Sequence, residues 1–428
     1  MLKTYPYQSL QAQDFQRLLV RNTDPANTIQ QAVLAIIGEV QANDDSALRA
    51  YAEKFDGVRL EKLYLEADEI AVLAATIGRE QRRALEIAFA NIHRFHETQL
   101  RKERPVETMP GVKCWREPRP IEKVGLYIPG GSAVLPSTLL MLGVPARIAG
   151  CKEIVVCSPP QADGGINGYV AYCLQLLQIN KVYLVGGAQA VAAMAYGTTT
   201  VPKVDKIFGP GNQYVTKAKS LVQSLVNVSI DMPAGPSEVL VIADRTANPQ
   251  YIAADLLAQA EHGADSQAVL VSTDQGVIDE VQAALKAQLT ELPRAAIATK
   301  AIAKSYAILC NTLDEAIAFS NRYAPEHLII ETDDWEQLLR KVSNAGSVFV
   351  GHLTPESAGD YASGTNHTLP TSGFARSYSG VSVDSFVKKI TFQHITAEGL
   401  RNIGPTVEIL AELEGLTAHK NAVSLRLR

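Results

Sequence analysis

A strand–helix alternation from about Gly125 onward restricts the fold of this chain more than any other sequence feature. Short β-rich runs such as EIVVCS and KVYLV are each followed by a turn and a helical segment. The same pattern returns after Ser237, with the runs EVLVIAD, AVLVSTD and HLIIETDD. Because strands that alternate with helices pair in parallel, with helices on both faces of the sheet, the sequence predicts two α/β units.

The two ends of the chain have a different texture. Residues 28–54 and 67–103 carry apolar residues at helical spacing, so the N-terminal part is predicted to be mainly helical. His96, in the second of these segments, is predicted to lie on a solvated helix face. The stretch from Asp384 is mixed and polar and ends in a predicted helix from about Thr406, which indicates a tail or a small domain.

The composition is that of an ordinary globular protein and excludes several function classes. The chain has 428 residues, of which 46% are hydrophobic and 20% charged, which is enough for about two or three domains. A net charge of -5 and a pI of about 6.0 argue against a general binder of nucleic acid or anionic membranes. The first residues lack a basic region followed by an apolar run, so we expect no signal peptide.

Membrane insertion and disulfide bonding are not expected either. The longest apolar segment, residues 131–150, is broken by Pro136 and Pro145 and is predicted to be a buried loop and helix. The five cysteines contain no C-x-x-C pair, and such a sparse, odd set is typical of reduced thiols in the cytoplasm. We therefore expect a cytoplasmic protein.

Three glycine turns in the first α/β unit point to a nucleotide. The segments YIPGGS, VGGAQA and FGPGNQY each follow a β-like run and precede a helix, which is where α/β proteins bind nucleotides. None is a true G-x-G-x-x-G, since Tyr214 stands at the last position of the third segment, and there is no P-loop motif. Each turn alone is equally compatible with a tight turn and nothing more. Three together favour a nucleotide site of a non-standard type.

A second group of residues has the chemistry of a metal site. Gln259 and His262 are three residues apart near a predicted helix end at Gly263, so they share one face of the helix. A solvated helix end would have the same spacing. Together with Asp360 and His419, these residues offer nitrogen and oxygen ligands that suit Zn²⁺, Mn²⁺ or Co²⁺ better than Ca²⁺ or Mg²⁺. Their separation in sequence leaves open whether they meet.

Acid–base chemistry is indicated by two further segments. In APEHL, Glu326 and His327 stand directly before an apolar strand, and such an adjacent pair suits two successive proton transfers. A capped strand start with a surface histidine is the alternative. The loop of residues 357–371 is rich in glycine and small residues and contains Asp360 and His367, which is typical of a functional loop. From its residues alone, the chain is a two-unit α/β enzyme with a nucleotide site and a metal site.

Long motifs of the chain resemble those of the histidinol dehydrogenase family. The resemblance runs from about residue 22 to the C-terminus, and the motifs occur in the order of the family. The motifs that carry it are IDMPAGPSEVLVIAD with DLLAQAEHG, APEHL, SAGDYASGTNHTLPTSGFARSYSGVSV, VGLYIPGGSAVLPSTLLMLGVPARIAGC and VPKVDKIFGPGNQYV.

The resemblance implies an activity and a set of cofactors. Members of the family depend on NAD and on one zinc ion per subunit, and they oxidise L-histidinol to L-histidine through histidinal in two hydride transfers. This reaction is the last step of histidine biosynthesis.

The resemblance also implies roles for named residues. Gln259, His262, Asp360 and His419 match the zinc ligands, and Glu326 and His327 match the catalytic pair. The substrate-binding set is Ser237, Gln259, His262, His327, Asp360, His367, Glu414 and His419, and Tyr127, Gln189 and Asn212 match contacts to the dinucleotide.

The resemblance implies a fold of two incomplete Rossmann-like α/β units in an intertwined homodimer. Glu414 and His419 would then reach the site of the partner subunit. The expected parts are an N-terminal helical arm at 1–21, a first α/β domain at 22–124 plus 236–383 with most metal and catalytic residues, an NAD-binding domain at 125–235, and a tail at 384–428.

Three other functions are weighed against this one. A relative on the same scaffold that oxidises another polar alcohol, such as a sulfonated diol, is the nearest, but Glu414 favours an amino alcohol because it would pair with a cationic group. A zinc hydrolase would need only the metal, Glu326 and His327, and the glycine turns argue against it. A non-catalytic scaffold protein would not need the ligand-type and acid–base residues. Oxidation of the aldehyde through a cysteine thioester is disfavoured, because no catalytic motif contains a cysteine.

Overall fold

The computed structural model describes residues 1–21, 28–101, 103–130, 134–233 and 235–428, and its strands form three sheets. In chain order the strands are β1 (Lys3–Pro6), β2 (Tyr64–Glu66), β3 (Val106–Met109), β4 (Val112–Pro120), β5 (Lys123–Tyr127), β6 (Glu153–Ser158), β7 (Lys181–Leu184), β8 (Lys206–Phe208), β9 (Ser229–Ile230), β10 (Glu238–Ala243), β11 (Gln267–Ser272), β12 (Tyr306–Leu309), β13 (His327–Glu331), β14 (Ser347–Val350) and β15 (Val387–Ile395).

The helices lie between these strands and at the C-terminus. They are α1 (Ala12–Leu19), α2 (Thr28–Tyr51), α3 (Ala67–Ala75), α4 (Arg79–Glu97), α5 (Pro136–Ala149), α6 (Gly168–Leu176), α7 (Gly187–Tyr196), α8 (Gln213–Leu225), α9 (Pro249–Ala260), α10 (Gln275–Leu289), α11 (Ala295–Ile302), α12 (Leu313–Tyr323), α13 (Trp335–Leu339), α14 (Glu356–Tyr361), α15 (Ala397–Leu413) and α16 (Thr417–Leu427).

The first sheet has the strand order β1-β12-β11-β10-β13-β14 and is parallel throughout. All six residues of β10 are buried, because helices cover both faces of the sheet. Val239 and Val241 pack with α9, α10 and α11 on one face. Leu240 and Ile242 pack with α1 and α12 on the other. Such doubly covered strands are expected to be continuous apolar runs, as EVLVIA is.

The second sheet has the order β2-β7-β6-β5-β8-β9, and only β2 is antiparallel to its neighbour. The two predicted parallel α/β units are thus confirmed. The large core of this unit includes apolar residues of α2, α3 and α4, and these helices pack against α5, α6, α7 and α8. Residues 28–97 therefore pack with 123–230, unlike the expected grouping of 22–124 with 236–383. The amphipathic helices have one apolar face each, and tertiary packing alone determines which sheet that face covers. The expected boundary at residue 22 lies outside the described residues.

Two local predictions are wrong. His96 is fully buried in α4, with Nδ1 2.8 Å from the Ile92 carbonyl oxygen, and is not on a solvated face. The N-terminal segment 1–21 is not only helical, because β1 joins the edge of the first sheet by pairing in parallel with β12. The Ile92 carbonyl satisfies the polar Nδ1 of His96 within the helix, which allows the ring to be buried. The strand that pairs with β1 lies far away along the chain, so the local sequence does not reveal it.

The C-terminal segment forms an antiparallel ribbon and a helical hairpin. β15 pairs with β4 from Val387 opposite Pro120 to Ile395 opposite Val112, and β3 completes the ribbon. The last part of the chain consists of α15 and α16, which pack against each other. α15 begins well before the predicted Thr406, because the Thr396 side chain accepts the Gly399 N–H and caps the helix. No helix among the described residues is long and apolar enough to cross a membrane.

The contact between the ribbon and α15 generates a prediction about stability. A Cβ added at Gly399 would lie 2.2 Å from the Gly111 carbonyl oxygen, so Gly399→Ala forces two backbone segments apart and should destabilise the ribbon by about 1–3 kcal/mol. Trp115 stacks on Phe392 in the ribbon, so its fluorescence during urea unfolding, measured in a Trp335→Phe background, reports on this region.

The control for this prediction is Gly38→Ala. Gly38 is exposed in α2 and an added Cβ would meet nothing within 4 Å, so this change should not lower the unfolding midpoint of the ribbon, since alanine favours a helix interior over glycine. An unchanged midpoint for Gly399→Ala would contradict the prediction.

Candidate active site

The predicted catalytic pair and the turn at Ser237 meet at the amino ends of two adjacent strands. β10 and β13 pair in parallel with Val239 opposite His327, so Glu238 and Glu326 begin the two strands side by side. This edge of the first sheet is closed by the C-terminal end of α9 and by α14. The site therefore combines residues from four elements that are remote in sequence.

The backbone of Glu238 contacts both members of the pair. Its N–H donates to Glu326 Oε2 at 2.8 Å, and its carbonyl oxygen lies 3.0 Å from His327 Nδ1. A carbonyl only accepts, so Nδ1 carries a proton. In the neutral imidazole Nε2 is then the basic nitrogen, and Nε2 has no hydrogen-bond partner among the described residues.

Two buried carboxyl groups and one partly buried carboxyl group surround His327. Its Nδ1 lies 3.7 Å from Glu326 Oε2 and 3.7 Å from Glu356 Oε1, and its Nε2 lies 3.6 Å from Asp360 Oδ1. Burial lowers the pKa of His327, but the charges of Glu356, Glu326 and Asp360 outweigh it and raise the pKa well above the usual range. Burial also raises the pKa of Glu326 to about 8, against the opposing effect of His327.

Glu356 is a site residue that the sequence reasoning missed. Its side chain is 1% exposed, and burial raises its pKa well above the usual value. Glu356 and Asp360 are four residues apart and lie on one face of α14. The four-residue spacing of the two carboxylates indicates a shared helix face, but the small residues between them do not predict a helix.

The side-chain amide of Gln259 lies between Glu238 and Glu356. With its oxygen toward Glu238, the amide accepts the Glu238 N–H at 2.7 Å, sharing that hydrogen with Glu326 Oε2, and its NH₂ group donates to Glu356. Gln259 is thus buried in the last turn of α9, within the carboxylate cluster. His262 follows two residues after the helix end, is exposed, and lies within electrostatic range of Asp360 and His327.

The cluster has the donor set of a metal site. One ligand atom each from His327, Glu356 and Asp360 lie within 4.8 Å of one another. His327 Nε2, Glu356 Oε2 and Asp360 Oδ1 are buried without a hydrogen-bond partner among the described residues. Buried polar atoms without partners are costly, and a divalent cation would satisfy them. Nitrogen and oxygen donors together suit a borderline ion such as Zn²⁺.

The other predicted substrate residues are divided between this site and the tail. His367 is half-buried, and its Nε2 lies 3.2 Å from Thr138 Oγ1. Ser237 lines a cavity of about 300 Å³ whose lining does not include Glu326 or His327. Glu414 and His419 are exposed in the C-terminal hairpin and have no hydrogen bond or ion pair to the cluster in the described part of the chain. Within one chain, the tail residues therefore do not join the site.

The predicted nucleotide residues lie at the carboxyl ends of the strands of the second sheet, whereas the catalytic pair lies at the amino ends of strands of the first sheet. Tyr127 ends β5, and its hydroxyl accepts the N–H of Gly187, which follows β7. Gly209, after β8, has φ +130°, and a Cβ there would lie 2.2 Å from the Tyr127 carbonyl oxygen. Asn212 caps α8 by accepting the N–H groups of Tyr214 at 3.0 Å and Val215 at 3.1 Å. The turns thus converge at the carboxyl ends of parallel strands, where dinucleotides bind.

Two of the three predicted dinucleotide residues are buried. Tyr127 and Gln189 are buried and Asn212 is exposed. The last two residues of the predicted turn YIPGGS, 131 and 132, lie outside the described residues. Tyr127 and Gln189 therefore support the turns from beneath, while Asn212 stands at the helix N-terminus itself.

A parallel sheet with a buried imidazole–carboxylate cluster, joined to a second parallel sheet with glycine turns at its carboxyl edge, defines a two-domain α/β enzyme. The sequence model described as Histidinol dehydrogenase matches residues 19–427. The chain therefore belongs to the histidinol dehydrogenase family.

Relatives and a solved structure agree with this assignment over the whole length. A histidinol dehydrogenase from Bacteroides thetaiotaomicron is 53% identical over 427 residues, covering 100% of this chain and 99% of the relative. A chloroplastic one from Arabidopsis thaliana is 52% identical, covering 100% and 92%. The crystal structure of histidinol dehydrogenase from Elizabethkingia anophelis matches with a TM-score of 0.96 at 51% identity, covering 100% and 98%.

A buried pair of carboxyl groups behind the cluster generates a prediction about pH. Glu331 lies on the same face of β13 as His327, and burial together with Asp255 raises its pKa to about 8, from 4.5. Between these values the folded state binds more protons than the unfolded state, so stability falls as pH rises and the loss ends above about pH 8. Glu331→Gln should remove at least ~1 kcal/mol of this loss, measured as unfolding midpoints between about pH 5 and 8.

Asp334→Asn is the matched control for Glu331→Gln. Asp334 is exposed and lies just after β13, so its substitution should preserve the wild-type dependence on pH. If Glu331→Gln and the wild type lose stability equally over this range, Glu331 does not carry the effect.

Proposed function

We propose that this chain oxidises L-histidinol to L-histidine through histidinal, with water and two NAD⁺ consumed and two NADH formed. The observation that carries the proposal is the buried Glu326–His327 pair, which the Glu238 backbone holds in two different roles. Family membership supports the choice of substrate.

His327 serves as the base in both oxidations. Its Nδ1–H donates to the Glu238 carbonyl, which leaves Nε2 to take the proton of the substrate alcohol while the carbinol hydrogen leaves as hydride. Nε2 then releases this proton to solvent, and after water has added to the aldehyde the same nitrogen takes the proton of the gem-diol. A single fixed tautomer suits both steps, because the reacting oxygen is bonded to the same carbon each time.

Glu326 serves as the base for water. A carboxylate with a pKa of about 8 is a stronger base than an exposed one, and this value is close to working pH. Its Oε2 is held by the Glu238 N–H at 2.8 Å. Glu326 therefore takes a proton from the water that attacks the aldehyde carbon, and no cysteine is needed for this step.

Gln259, His262 and Asp360, with His419 from a second copy of the chain, would hold Zn²⁺. Asp360 Oδ1, which is buried and has no hydrogen-bond partner among the described residues, supports a cation here, and the unpartnered His327 Nε2 stays free to act as the base. Bound there, Zn²⁺ would hold the imidazole and amine nitrogens of the substrate, and its charge would offset the Asp360 carboxylate that raises the pKa of His327. Ser237, His367 and Glu414 would contact the substrate around it.

The glycine turns of the second sheet would hold NAD⁺, which accepts the hydride in each oxidation. Asn212 stands at the N-terminus of α8, where the helix favours a pyrophosphate. Tyr127 and Gln189 keep the turns in place from the buried side. The chain's own part in the hydride transfers is thus to place the two reactants together and to exclude water.

The C-terminal hairpin supports a homodimer. Leu413 is 78% exposed and Ile409 60% exposed, and Leu410, Leu416 and Leu425 are exposed nearby. Such an apolar patch is typical of a covered interface. Glu414 and His419 lie within it, so a second copy docked there would receive both residues. The tail would then supply in trans what each site lacks.

The proposed reaction predicts the stoichiometry of NADH. With limiting L-histidinol and excess NAD⁺, two NADH should form per substrate, and chelation should abolish this until Zn²⁺ is restored. One NADH per substrate would mean that the aldehyde is released, and the role of Glu326 would be wrong. No NADH would direct the search to another polar alcohol.

Separate roles for the two bases predict different half-reactions. Glu326→Gln should oxidise supplied histidinal about 10²-fold more slowly while oxidation of the alcohol to the aldehyde changes far less. His327→Asn, the matched comparison, should impair both oxidations and keep its zinc. Equal damage to both oxidations by Glu326→Gln, or lost zinc in His327→Asn, would contradict these assignments.

A further inference from the structure

We infer that Arg21, at the end of the N-terminal arm, is a positioning residue for the Glu326–His327 pair and acts through Glu238. The inference rests on the proposed function for its activity readout. It gives the N-terminal arm a role in the reaction, although no residue of the arm was predicted to belong to the site.

The guanidinium of Arg21 holds the Glu238 side chain in a two-point contact. Nε lies 2.9 Å from Oε1 and Nη2 lies 3.0 Å from Oε2. The two side chains are 4% and 1% exposed. A planar fork on a buried carboxylate allows one geometry, so the Glu238 side chain has little freedom to rotate. The backbone N–H of Ser372 donates to the same Oε1 at 2.6 Å.

Arg21 also holds the segment that leads into the catalytic pair. Nη2 donates to the Tyr323 carbonyl oxygen at 2.7 Å, and the guanidinium carbon lies 3.6 Å from the centroid of the Tyr323 ring. Tyr323 ends α12, and the next residue, Ala324, is buried in a left-handed conformation with φ 53°. Glu326 follows two residues later, so one guanidinium fixes the approach to both strands of the site.

In the part of the chain that the structure describes, Glu238 is the one residue that lies between Arg21 and the catalytic pair. Glu238 receives Arg21 with its side chain and contacts Glu326 and His327 with its backbone N–H and carbonyl. A rotation of this residue would move the acceptor that determines the His327 tautomer and the donor that holds Glu326. The arm is anchored independently of Arg21, by β1 on the first sheet and by the Tyr306 hydroxyl, which donates to the Leu18 carbonyl oxygen at 2.8 Å.

Two variants separate positioning from folding. Arg21→Lys keeps the buried charge and removes the planar fork. The double variant Arg21→Met with Glu238→Gln removes both charges, so no uncompensated buried charge remains. Arg17→Met is the matched control, because Arg17 lies on the same arm, is 63% exposed at its side chain, and contacts Asp14 at 3.3 Å and the Tyr5 ring at 5.9 Å from its centroid, away from the site.

The expected result is a loss of kcat without a loss of binding. Arg21→Lys and the double variant should lower kcat for L-histidinol at least about tenfold, since a small displacement of catalytic groups costs up to ~10²-fold. The KM for NAD⁺, the zinc content and the thermal midpoint should stay close to wild type, and Arg17→Met should match wild type throughout. A folded double variant with the wild-type kcat would overturn the inference, as would a loss of kcat that follows loss of zinc.

A second readout is independent of the reaction. In wild type the ¹⁵N shifts of the His327 imidazole, assigned by comparison with His327→Gln, should show a protonated Nδ1, and Arg21→Lys should change them. If the wild type oxidises no histidinol, the proposed function fails and these shifts alone decide the inference. Shifts that are identical in wild type and Arg21→Lys would overturn it.

Discussion

The parallel pairing of β10 with β13 is the constraint on which the site depends. Its register, with Val239 opposite His327, brings the Glu238 N–H and carbonyl to Glu326 and His327. A shift of one residue would turn His327 to the opposite face of the sheet, away from α9 and α14. Because β10 is buried on both faces between two apolar layers, the core itself enforces this register.

The electrostatics of the site follow from where that register places charges. Glu326, Glu356 and Asp360 surround one imidazole in a largely buried region. Burial makes carboxylates more basic, and their mutual repulsion is relieved only by a cation or by shared protons. A site of this kind suits a reaction that moves protons repeatedly and holds an aldehyde between steps.

Much of the fold and site follows from local sequence patterns. The strand–helix alternation predicts two parallel sheets, because the spacing of apolar residues within each short segment distinguishes a strand from a helix. Helix spacing draws attention to Gln259 and His262, although His262 lies beyond the end of α9, and the strand start draws attention to Glu326 and His327. Glu356 was missed because a helix of six residues is too short to show a hydrophobic period, and its other residues are mostly small. The packing of residues 28–97 against residues 123–230 was not predictable, because the sequence of an amphipathic helix does not show which apolar surface the helix covers.

The sequence by itself determined which elements form, which residues carry acid–base and ligand chemistry, and, through long motifs, the family. Only the tertiary structure decided which groups meet: that Glu238 contacts both bases with its backbone, that Glu356 joins the cluster, and that Arg21 reaches it from the N-terminal arm. The physical reason is that hydrophobic periodicity acts over a few residues, whereas burial, pKa and hydrogen-bond partners depend on contacts between segments hundreds of residues apart.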